Sequence, residues 1–147
     1  MSKLVEQVLS QRVTDNWTKE WLALTLDVLS RHRRDFDLIA NRMPLADSVK
    51  THYAAIVSQM FDDGRTNWGR VVTVLAFATY LQTRYDIDLK NETSALLEEN
   101  VYGWLRRRDC EETHDFVDNF SLLEWLPYSV TVLLHNVVHN ALSWLIR

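Results

Sequence analysis

Turn-forming residues are scarce in this chain, which has three glycines and two prolines among 147 residues. A β-sandwich or barrel turns roughly every 8 to 12 positions. The scarcity therefore excludes those folds and points to an all-α protein of long helices joined by polar loops. Cys110 is the only cysteine, which excludes an intrachain disulfide framework and a thiolate zinc cluster and suits a reducing compartment. Positive charge is not in excess either. The formal net charge is -4, whereas proteins that wrap nucleic acid draw affinity from a basic surface that releases counterions, so no nucleic-acid partner is expected. The opening residues MSKLVEQVLSQR lack the apolar run of a secretory core and include Glu6, so an intracellular protein is expected. A nucleophile elbow, a phosphate loop and a dinucleotide-binding glycine pattern are all missing, and neither catalysis nor a cofactor is expected.

What is present is an ordinary globular balance, 47% hydrophobic and 24% charged, at the length of one domain spanning 1–147. Leu4, Val5, Val8 and Leu9 recur at helical spacing. Thr14, Asp15 and Asn16 then offer capping oxygens to a stretch in which Trp17, Trp21, Leu24, Val28, Phe36 and Ile39 keep step until Pro44 ends it. From about Asp47, Val49, Tyr53, Ile56, Val57, Met60 and Phe61 form one stripe that stops at Asp62-Asp63-Gly64, where glycine supplies a left-handed closing residue. The run 71–81, VVTVLAFATYL, carries no charge. As a helix over 71–85 it is apolar on every side and must be surrounded by the amphipathic helices; a buried parallel strand is the alternative for so β-branched a run. Leu96, Leu97, Val101, Trp104 and Leu105 then form an amphipathic helix ending at Arg106, Arg107 and Arg108. The tail 126–147 is apolar, but His135, Asn136, His139 and Asn140 fall on one helical stripe, so it reads as a closing amphipathic helix or a degraded tail, with peripheral membrane association at most.

His135 and His139 have the spacing of a helical metal pair, yet no Glu follows His135 and no third ligand is evident, so no metal is expected. The pairs Asp62-Asp63, Glu98-Glu99 and Glu111-Glu112 read as helix ends and solvated faces, as do Arg31, Arg33 and Arg34. Of the six tryptophans, Trp17, Trp21, Trp125 and Trp144 read as core anchors. The stretch from Asp63 to Arg70 is different. Asn67 suits a cap, Gly69 lets another backbone come close, and Arg70 stands one turn inside an otherwise apolar helix, either as a rim charge or as a cation waiting for an anion.

Residues 53–81, YAAIVSQMFDDGRTNWGRVVTVLAFATYL, resemble the first homology motif of the Bcl-2 family of apoptosis regulators, with its Asn-Trp-Gly-Arg core at Asn67, Trp68, Gly69 and Arg70. Residues 3–17 resemble the family's fourth-motif helix, and HRRDF at 32–36 resembles the groove-lining end of its second helix. Residues 103–120 resemble its second motif around Trp104, with Cys110 to Thr113 standing where the family has Gly-Gly-Trp. Barely ten residues separate the segments matching the first two helices, a compactness similar to that of viral homologues; a divergent animal member is the alternative. No Leu-x-x-x-Gly-Asp pattern occurs in the second helix, which favours a pro-survival over a pore-forming member.

The resemblance implies a Bcl-2-like bundle whose surface groove takes the third-motif (BH-3) helix of a pro-death protein such as Bim, Bak or Bax. It implies a groove lined by Val28, His32, Phe36, Ile39, Ile56, Met60, Val72, Thr73 and Phe77, with Arg70 pairing with an aspartate of the ligand. Asn67 and Gly69 belong to the same site, and Trp68 and Trp104 hold the motifs structurally. The implied place of action is the host cytoplasm and the mitochondrial outer membrane surface. A second reading is a helical adaptor or assembly protein whose groove serves homodimerisation or an unrelated partner.

Overall fold

The computed structural model describes residues 2–12, 15–43, 49–64, 66 and 68–107, with backbone alone at 2, 17 and 102–107. Among the described residues six helices follow in order: α1 Ser2–Ser10, α2 Asn16–Arg31, α3 Arg33–Arg42, α4 Val49–Met60, α5 Trp68–Tyr85 and α6 Lys90–Arg107. The expected all-α bundle is present. Pro44, Asn67, Cys110, Trp125, Trp144, the histidine pair, the second-motif stretch beyond Arg107 and the tail 126–147 lie outside the described residues.

Helix boundaries follow local chemistry. Asp15 caps α2, its Oδ1 accepting both the Thr18 N–H and the Thr18 hydroxyl at 2.8 Å. Asp88 similarly accepts the Lys90 N–H at 2.9 Å where α6 begins. After α4 the chain turns through Gly64, whose φ of 72° favours a residue without a Cβ. Glycine being scarce, α1 and α5 instead close through Gln11 and Asp86, at φ 56° and 53°.

α5 lies at the centre and touches each of the other five helices. Every residue of 71–81 is buried, as expected of a helix apolar on all sides. Its polar members are satisfied within the helix: Thr73 Oγ1 donates to the Gly69 carbonyl at 2.7 Å and Thr79 Oγ1 to that of Leu75 at 2.8 Å. Around it, α1 buries Leu4, Val5, Val8 and Leu9, and α4 buries Val49, Tyr53, Ile56, Val57 and Met60, the stripes read from sequence. Each large apolar side chain so buried contributes about 1.5–3 kcal/mol. α4 is further tied to α6 by a buried bond of 2.5 Å between the Tyr53 and Thr93 hydroxyls.

Two boundaries differ from the sequence reading. α5 starts at Trp68 rather than near 71, so Trp68, Gly69 and Arg70 form its first turn. The stretch from Trp17 to Ile39 is not one helix, because it breaks at His32, where φ is -115° and ψ 17°. The HRRDF segment therefore opens α3 instead of closing α2. Along an unbroken helix the fifteen positions from Trp21 to Phe36 would rotate Phe36 by roughly 60° off the stripe. The turn at His32 keeps both aromatic rings in the core, since Trp21 and Phe36 are fully buried.

Candidate functional site at the start of α5

Trp68, the first residue of α5, meets Trp21 of α2 edge to face, ring centroids 5.7 Å apart at 68°. That contact fixes where α5 begins against α2, and so where the next turn points its side chains. Arg70, two residues on, reaches back to the end of α4. Its Nη1 donates to the Met60 carbonyl at 2.8 Å and to Asp63 Oδ1 at 2.6 Å, and its Nη2 donates to Asp63 Oδ2 at 2.8 Å. The Arg70 side chain is 15% exposed and that of Asp63 50%. A planar guanidinium forked onto a carboxylate in this way is the strongest form such a pair takes. Of the two alternatives drawn from sequence, rim charge or waiting cation, the geometry shows a cation at the rim already holding an anion from its own chain.

Of the residues expected to line a groove, Phe36 and Phe77 meet ring to ring, and the others are buried. Phe36 of α3 stacks on Phe77 of α5 at 5.6 Å, and Tyr53 of α4 approaches the same ring at 5.9 Å. Ile39, Ile56, Met60, Val72 and Thr73 are buried, as are Val28 and His32 on the α2 side. His32 Nδ1 stands 3.4 Å from Asp35 Oδ2. Gly69 is buried within the first turn of α5. The nine expected lining residues are each no more than 8% exposed, so they stand as core residues and not as the walls of an open groove. Trp104 lies on α6 by its backbone.

An opening lies elsewhere. A cavity of about 260 Å³ lies where α2 and α3 meet the last turns of α5, lined by Leu29, Arg33, Asp37, Tyr80, Thr83 and Arg84. Its polar groups largely serve one another. The Tyr80 hydroxyl donates to Asp37, and Arg84 donates to the Tyr80 oxygen at 2.7 Å and to Asn41 Oδ1 at 2.8 Å. Burial and the Asp37 carboxylate together raise the Tyr80 pKa above its ordinary value. This network pins α3 to α5.

Sequence reasoning missed Asp63 as a partner of Arg70, taking it for a solvated helix end. The available signal was Gly64: a left-handed residue between the two reverses the chain and returns the carboxylate toward the arginine seven positions on. It also missed the Tyr80 network, whose members are 43 positions apart.

An all-helical bundle around a buried central helix, entered through Trp68-Gly69-Arg70, defines the Bcl-2 class of fold. The profile of apoptosis regulator proteins, Bcl-2 family, matches residues 22–110, and the chain belongs to that family. It is similar to Bcl-2-related protein A1 of Bos taurus, 27% identical over 105 residues that cover 63% of this chain. The match spans 57% of the length of that protein. No solved structure matches.

Proposed function

We propose that this protein is a pro-survival member that binds the BH-3 helix of pro-death proteins, with Bim, Bak and Bax as the first candidates, along the seam between α2–α3 and α4. Arg70 is the observation that carries the reading: a largely covered guanidinium beside Met60 and the aromatic seam, in the first turn of the central helix. Membership of the Bcl-2 family supports apoptosis regulation, and the absence of a Leu-x-x-x-Gly-Asp pattern supports the pro-survival side. The short link from α1 to α2 supports a compact, virus-like homologue acting in the host cytoplasm or on the mitochondrial surface. No helix among the described residues is long and apolar enough to cross a membrane. The reading takes 1–147 as one domain, with Asn67, Gly69 and the nine seam residues as its ligand site.

All nine residues are buried, so an amphipathic helix must displace what covers Phe36 and Phe77 to place its apolar side chains against them. Partial opening of a packed seam lowers apparent affinity by the fraction of molecules open. A ligand held at nanomolar affinity has about 12 kcal/mol of binding free energy, and its hydrophobic anchors must supply most of it. Titrating the chain against a panel of BH-3 peptides tests the proposal, with saturable one-to-one binding of at least one peptide expected. A dimer in light scattering that no peptide binds or dissociates would contradict it in favour of the adaptor reading.

A further inference from the structure

Among the described residues, Arg70 donates to groups of two different kinds. The Met60 carbonyl belongs to the last turn of α4 and stays in place while that helix is folded. Asp63 sits in the turn beyond it with half of its side chain in water, yet takes up both hydrogens of the guanidinium fork. An acidic side chain on an incoming helix needs that same fork. The carbonyl fixes the direction of the guanidinium, and the carboxylate occupies the position from which the arginine would be read.

We infer that Asp63 is a stand-in for the ligand's acid, a specificity-determining residue that must release Arg70, or share it, before an acidic ligand group is bound. The inference rests on the BH-3 reading and deepens it. A ligand carboxylate then gains only the difference between its own pair with Arg70 and the pair it replaces, and if Asp63 stays near, the two like charges repel. The acid of the ligand counts for less here than beside an unoccupied arginine, and selection shifts toward the apolar anchors. With Asp63 neutral, an acidic ligand meets the guanidinium without the competing charge of that carboxylate.

The test is calorimetry on the full chain and on two variants, Asp63→Asn and Asp62→Asn, each titrated with a synthetic Bim BH-3 peptide and with the same peptide carrying Asn in place of its aspartate. Asp62 is exposed one residue earlier and makes no ion pair among the described residues, so its variant controls for the loss of one negative charge. Asp63→Asn is expected to bind the parent peptide about threefold or more tighter, and Asp62→Asn to change it much less. The loss on replacing the peptide's aspartate is expected to be larger for Asp63→Asn than for the parent chain. Thermal unfolding of each variant establishes that it is folded. If Asp63→Asn binds with unchanged or weaker affinity while the parent chain binds well, Asp63 is not a competitor and the inference falls alone. If neither peptide binds any of the three chains, the BH-3 reading falls and takes the inference with it.

Discussion

Gln11 and Asp86 hold left-handed backbone at the ends of α1 and α5 without being glycine. A side chain in that conformation costs about 1 kcal/mol, so Gln11→Gly and Asp86→Gly are each expected to raise the unfolding free energy by about 0.5–1 kcal/mol in urea titrations. Gly64→Ala is expected to do the reverse by a similar amount, because an added Cβ would meet nothing within 4 Å and the φ of 72° alone decides. The Tyr53–Thr93 bond is a buried pair of another sort. Tyr53→Phe leaves a buried threonine hydroxyl without its partner and is expected to cost about 1–3 kcal/mol; adding Thr93→Val should recover part of the loss, a coupling that a double-mutant cycle measures. Asp88 makes stability depend on acid. The Lys90 backbone N–H, helped by the Lys90 charge, holds its carboxyl below the ordinary carboxylate range. Its contribution is present above the unfolded value near pH 4 and is lost as pH falls through the lower folded one. The stability difference between the parent and Asp88→Ala should therefore be full at about pH 6 and shrink in more acid solution.

Among the elements, α1, α4, α5 and the described part of α6 could be read from the sequence because each carries its own apolar stripe or, in α5, an unbroken apolar run. Their burial is local information: Val49, Tyr53, Ile56 and Met60 sit at helical spacing whatever they pack against. The break at His32 was not legible, since no proline or glycine marks it and its cause is the surface of α5 that Phe36 must meet. Arg70 stood out before an uncharged run as either a rim charge or a waiting cation, and only the resemblance of residues 67–70 to the Bcl-2 motif made it a candidate site residue. Its pairing with Asp63 was not legible, because the partner is chosen by the three-dimensional path of the turn. Trp68 shows how far one contact reaches across elements. Its ring braces α5 against Trp21, so Trp68→Ala is expected to cost about 3–5 kcal/mol in chemical denaturation, while Trp68→Phe retains an aromatic edge and costs less.

At the scale of the molecule, one apolar helix in contact with five neighbours makes the bundle a single packing problem, and the seam beside Phe36 and Phe77 belongs to that core. A surface that is part of the core when empty can receive a helix only by exchanging internal contacts for external ones. The account therefore places recognition at the rim, where Arg70 holds a carboxylate that can leave, and affinity in the aromatic seam behind it. Calorimetric titration of Arg70→Ala against the parent chain with one BH-3 peptide tests this most directly. The account predicts that the parent binds and that Arg70→Ala, with unchanged helical content, binds at least tenfold more weakly, about 1.4 kcal/mol. Equal affinity of the two chains would contradict it.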